Sequence, residues 1–127
     1  ESVTVEVEPM SWRRYQGSGG ERRTLQPDLY AEITTSRYVD RMFIEVDRGT
    51  ESMTTLLNQC AQYEAYRRTG VEKTRHGSTP IVLWILPDED RARRLGSAIR
   101  ARSGLIPAMF RFATPDTLEA VLEEQGI

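Results

Sequence analysis

Two carboxylates, Glu45 and Asp47, stand two residues apart in Met42-Phe43-Ile44-Glu45-Val46-Asp47, an otherwise apolar run. Strand side chains alternate between faces, so this spacing puts both acids on one side and Met42, Ile44 and Val46 on the other. Like charges that close repel, and burying either one unpaired is costly. A divalent cation with oxygen ligands resolves the conflict. The plainer reading is a solvated edge-strand face, but Phe43 shares that face and argues for a covered site. Pro27-Asp28 opens the preceding strand, where the aspartate either joins the acidic pair or closes a turn. Gln59 and Tyr63 are four residues apart on the following helix and so share a face. If the two strands pair, Asp28, Glu45 and Asp47 converge at one sheet edge as candidate ligands for Mg²⁺ or Mn²⁺. Such a cation polarises a phosphodiester and lowers the pKa of its bound water.

These residues need strands and a helix to position them, and the pattern supplies both. Residues 3–8, 25–34 and 38–47 read as three strands joined too closely for crossover helices, hence an antiparallel meander. Pro27 belongs at a strand start or a bulge. Residues 17–20, Gly-Ser-Gly-Gly, form a flexible loop. Thr50 or Ser52 caps a helix that ends near Gly70, with Met53, Leu56, Leu57 and Cys60 on its apolar side. Residues 71–78 read as a polar loop. Residues 81–86 are apolar on both faces, the mark of a central covered strand. Asp88 caps a helix to about residue 102, residues 107–113 form a last strand, and Thr114-Pro115 opens a final helix. The expected fold is α/β: a mixed sheet with an antiparallel three-strand meander, a helix, a central strand and flanking helices.

The chain has 127 residues, enough for one domain spanning 1–127. Its hydrophobic and charged fractions, 39% and 28%, are those of a soluble globular protein. No apolar run approaches a membrane span, so no membrane partner is expected. The single cysteine, Cys60, excludes an internal disulfide and fits a reducing cytoplasm. Lys73 is the only lysine among 17 basic residues. The arginine bias reflects either a GC-rich genome, the weightier explanation, or phosphate binding. The helix after Asp88 carries Arg91, Arg94 and Arg100; with Arg48 these are the expected DNA contacts, against the plainer reading of a solvated helix face. Monomer and dimer are both left open. The absence of an initiator methionine reads as an excised, C-terminal part of a longer protein.

The ordered set Pro27-Asp28, Glu45-Val46-Asp47 and Gln59-x-x-x-Tyr63 resembles the PD-(D/E)xK nuclease superfamily and the QxxxY helix of its RecB-type members. The resemblance implies a restriction-endonuclease-like core in which Asp28 and Glu45 hold the metal. It makes Asp47 a third ligand or a stand-in for the family lysine, and has Gln59 and Tyr63 orient water or phosphate. That lysine belongs two residues after the glutamate, where this chain has Asp47. More closely, Pro-Asp-Leu-Tyr, Phe-Ile-Glu-Val-Asp-Arg-Gly-Thr-Glu-Ser and Val-Leu-Trp-Ile-Leu-Pro-Asp-Glu-Asp-Arg-Ala-Arg-Arg-Leu are similar to the replication-relaxation family of plasmids and mobile elements, over roughly residues 25–100. That resemblance implies a role in plasmid replication and in DNA relaxation for mobilisation, with a winged-helix segment upstream. Two functions are therefore expected: a Mg²⁺- or Mn²⁺-dependent nuclease, or an inactive nuclease-like fold that binds DNA or protein.

Overall fold

The computed structural model of the protein describes residues 2–124. Strand β1 (Ser2–Val7) is followed by a hairpin of β2 (Arg13–Gln16) and β3 (Arg22–Leu25), then by β4 (Leu29–Thr34) and β5 (Val39–Val46). Helices α1 (Met53–Arg68) and α2 (Val71–His76) lead to β6 (Ile81–Ile85). Helix α3 (Glu89–Ala101), a 3-10 turn at Pro107–Met109, β7 (Phe110–Ala113) and α4 (Leu118–Glu124) complete the described chain. The main sheet has the order β1-β4-β5-β6-β7. Its first three strands pair antiparallel, and β6 and β7 join parallel. The mixed α/β class is the expected one, and the meander is real, with the β2–β3 hairpin inserted between its first and second strands.

Alternation along β4, β5 and β6 sorts the core into two layers. Tyr30, Phe43, Val82 and Trp84 meet Leu56, Cys60 and Tyr63 of α1 and Leu95 and Ile99 of α3. Ala31, Ile33, Met42 and Leu83 form the other layer, closed by Leu118, Val121 and Leu122 of α4. Each such large apolar side chain contributes about 1.5–3 kcal/mol when fully buried. Ser52 caps α1, its Oγ accepting from the Thr55 amide at 3.2 Å. Asp88 caps α3 in the same way, through the Arg91 amide at 2.8 Å.

Five boundaries differ from the sequence pattern, the simplest being the last strand, which starts at Phe110 after a 3-10 turn over Pro107–Met109 rather than at residue 107. Residues 13–16 and 22–25 pair as a hairpin although arginine dominates them. The expected strand 25–34 breaks at Pro27, which is buried and whose carbonyl accepts the Ser11 hydroxyl at 2.7 Å. The final helix begins at Leu118 rather than at Thr114-Pro115, because Thr117 takes the capping position: its carbonyl accepts the Val121 amide at 3.0 Å. Residues 71–76 are helical rather than a loop, set between Gly70 and Gly77, whose φ of 74° and 83° suit glycine.

The reason for α2 is Glu72, which points inward. Its carboxylate pairs with the Arg41 guanidinium at 2.6 Å and accepts the Tyr66 hydroxyl, and Arg13 stands 3.6 Å away. Desolvation favours the protonated acid, but the hydrogen bonds from Tyr66 and Arg41 and the attraction of Arg41 and Arg13 outweigh it, so the carboxyl titrates below its ordinary range. A lowered folded pKa stabilises above the unfolded value, about 4.5, and that stability is lost as pH falls through the folded one. Replacing Glu72 by alanine leaves Arg41 buried and unpaired, and the expected cost is about 3–5 kcal/mol at neutral pH. Urea denaturation checks this, and the penalty should shrink below about pH 4. A cost under about 1 kcal/mol at neutral pH would refute the buried network.

Candidate functional site

Glu45 and Asp47 leave the C-terminal end of β5 on the face that α1 covers. Each is only 9% exposed. Leu29 opposes Ile44 in the β4–β5 register, so the next residue back, Asp28, falls opposite Glu45. Asp28 Oδ2 accepts the Val46 amide at 2.8 Å and pins the start of β4 to the end of β5. On the other side of β5, Trp84 of β6 is the register partner of Glu45.

Helix α1 supplies the rest. The Tyr63 hydroxyl donates to Glu45 Oε2. Gln59, one turn earlier, lines the same cleft as Asp28, Glu45 and Asp47, a space of about 620 Å³ with Arg48 also on its wall. A smaller cleft of about 230 Å³ brings Glu45, Gln59 and Tyr63 against Thr24 and Gln26 at the end of the hairpin. Burial pushes the Glu45 carboxyl up to about 7; the Tyr63 hydrogen bond opposes this and the charge of Asp28 adds to it. Burial, and then the Glu45 charge, raise the Tyr63 hydroxyl well above its ordinary value, which keeps it a donor.

Asp47 lies in the cleft but is otherwise engaged. Arg91 Nε donates to its Oδ2, and Arg91 Nη2 to its Oδ1 at 3.0 Å. The Gly49 amide adds a third bond to Oδ1 at 3.2 Å, and Arg91 Nη2 also reaches the Glu51 carbonyl at 2.6 Å. The expected three-carboxylate group is therefore not assembled: among the described residues no three His, Cys, Asp or Glu side chains stand together so as to hold a metal. What comes together is Asp28 and Glu45, with Gln59 and Tyr63 beside them. Arg94 and Arg100 are exposed on α3 and are not among the residues that line the cleft.

Sequence reasoning gave Arg91 to DNA and missed its role as the partner of Asp47. A signal was present in Asp88-x-x-Arg91. The cap starts α3 at Glu89 and puts Arg91 in the first turn, and the parallel pairing of β5 with β6 brings that turn to the end of β5. The Asp47 amide donating to the Ile85 carbonyl at 2.9 Å fixes the two strand ends together.

A family model described as replication-relaxation matches residues 1–82. The chain belongs to the replication-relaxation family. A role in plasmid or mobile-element replication follows from that membership. The match begins earlier and ends earlier than the resemblance over 25–100; it takes in Asp28, Glu45, Asp47, Gln59 and Tyr63 but stops before Arg91. No curated protein and no solved structure matches the chain. Among the described residues of this replication-relaxation protein, no helix is long and apolar enough to cross a membrane.

Two stability experiments test the site. Arg91→Met strands a buried carboxylate and is expected to cost about 3–5 kcal/mol, whereas the double change Asp47→Leu with Arg91→Met should cost distinctly less. Equal losses in the single and double variants would mean that the pair is not coupled. The raised Glu45 pKa has the opposite sign from that of Glu72: its contribution is full below about pH 4.5 and is lost as pH rises through about 7. With a chelator present, Glu45→Gln is expected to gain up to about 3 kcal/mol over the parent protein between pH 5 and pH 8. Parallel pH profiles for the two proteins would contradict the burial argument.

Proposed function

We propose that this protein is a DNA-processing domain of a plasmid or mobile-element replication and relaxation protein, and that its Asp28–Glu45 cleft cleaves phosphodiesters with Mg²⁺ or Mn²⁺. The observation that carries the reading is a buried glutamate opposite an aspartate in an open cleft, with neither acid in an ion pair among the described residues. The donor set is hard oxygen, and Mg²⁺ is commonly held by one or two carboxylates, with waters and substrate phosphate completing its shell. Asp28 and Glu45 would hold the cation. When bound, it would polarise the scissile phosphate and acidify a coordinated water. Tyr63 holds the Glu45 carboxylate in place, and Gln59, on the cleft wall one turn away, can orient water or a phosphate oxygen. Asp47 acts at one remove, by fixing the loop that follows β5 to Arg91. An antiparallel meander, a helix and a parallel strand in that order support likeness to the PD-(D/E)xK superfamily.

A second reading has its own observation. The position where that superfamily carries lysine is Asp47, and an arginine neutralises it. A nuclease-like fold without catalysis, working as a DNA-binding or protein-interaction module, accounts for that arrangement, with Arg48 at the cleft and Arg94 and Arg100 on α3 as further contacts.

Incubation with supercoiled, linear and single-stranded DNA separates the two. The protein is expected to cut at least one of these with Mg²⁺ or Mn²⁺, and Glu45→Gln to lower the rate about a thousandfold or more, since metal-assisted charge stabilisation is worth several kcal/mol. Uncut DNA under both metals, together with Mn²⁺ calorimetry that Glu45→Gln does not change, would sink the nuclease reading in favour of the second.

A further inference from the structure

The β2–β3 hairpin, the C-terminal end of α1 and α2 concentrate positive charge. Residues 13–25 and 64–76 carry eight basic side chains against three acidic ones, a net of +5 in a chain whose total is −2. All three acids are paired: Glu72 is buried with Arg41, Glu64 is buried under Arg67 and Arg68, and the exposed Glu21, which also lines the groove between hairpin and helix, pairs with Arg23 at 3.0 Å. Arg14 and Arg22 are exposed and form no ion pair among the described residues. By comparison α3 has four arginines and two acids, a net of +2, and one of those arginines is committed to Asp47.

The hairpin is also held rigidly. Arg13 sits 4.6 Å over the Tyr30 ring and donates to Glu6 at 3.0 Å. Tyr15 packs edge-on to Tyr66 of α1, ring centroids 5.1 Å apart. Between hairpin and helix lies a groove of about 680 Å³ with Tyr15, Ala65 and Val71 along it and Arg23 and Arg68 at its sides. The smaller cleft, where Thr24 and Gln26 meet Glu45 and Gln59, is built from neighbouring residues of the same hairpin and helix. From Gln59 to Arg68 along α1 is nine residues, about 14 Å at the helical rise.

We infer that this hairpin–helix groove and the arginines around it are the seat of the DNA phosphate backbone, and that it leads the strand to the Glu45 cleft. The ligand class follows from charge: planar guanidinium forks match phosphate oxygens, and every phosphate gripped releases counterions. The aromatic and aliphatic floor suits sugar and base surface without demanding sequence. The direction of the track rests on the reading of the cleft as a phosphodiester site, whereas the grip does not.

Fluorescence anisotropy of the full chain with labelled single-stranded and duplex DNA, in chelator and over a salt series, tests the grip apart from cleavage. Replacing Arg14, Arg22, Arg23 and Arg68 by glutamine is expected to weaken binding tenfold or more, and to flatten the salt slope by about one for each arginine lost. Changing Arg93, Arg94 and Arg100 to glutamine should weaken binding distinctly less than the hairpin change does. The assay runs in chelator and reads binding alone, so a failed nuclease assay leaves this result standing. Arg22→Glu alone, with circular dichroism as the check on folding, keeps the test usable if the fourfold variant is unstable. Unchanged affinity in the hairpin variants, or a loss confined to the α3 variant, would overturn the proposal.

Discussion

Parallel pairing of β5 with β6 decides where the polar chemistry of this protein collects. Parallel strands need a long crossover, here α1 and α2, and their C-terminal ends then lie at the same edge. The loops after both strands meet there, and ligands of open α/β sheets gather in such crevices. Asp47 and Arg91, 44 residues apart, meet because of it. The crossover also lays α1 over β5, which brings Tyr63 onto Glu45. Even the antiparallel partner obeys the same edge: β4 starts where β5 ends, so Asp28 arrives opposite Glu45.

Buried charge is handled in two different ways on one face of the sheet. Around Glu72, donors from β5, α1 and the hairpin satisfy the acid, and the cluster ties four elements together. Around Glu45, among the described residues, one side-chain donor is supplied, from Tyr63, and a second acid stands nearby. The first arrangement favours the charged carboxylate and the second penalises it. Structural acids resemble the first case. Acids left underprotected by their own fold are where function concentrates.

Much of this was legible in order along the chain. Period-2 alternation located β1, β4 and β5, and the apolar run located β6; β4, β5 and β6 bury one or both faces, whereas Val3, Val5 and Val7 of β1 stay exposed. Ser52 and Asp88 announced their helices by capping chemistry. The 2.0 and 3.6 periods together paired Glu45 with Asp47 on one strand face and Gln59 with Tyr63 on one helix face. The hairpin escaped because its inward positions include Arg13, which buries its guanidinium against rings and carboxylates where alternation rules look for apolar side chains. Helix α2 escaped for a related reason: its anchor is a carboxylate whose partners, Arg41 and Tyr66, are distant or on another element. Asp47 faces the cleft, as the strand period implies, but its partner Arg91 lies 44 residues away, where no local rule reports it.

The Asp47–Arg91 pair makes α3 part of the cleft wall although the family match ends at residue 82. Any shortening of the chain at that boundary would remove the counter-charge from an acid whose side chain is 2% exposed. The part of the chain beyond the family match is thus tied to the part within it by charge as well as by the β5–β6 and β6–β7 ladders.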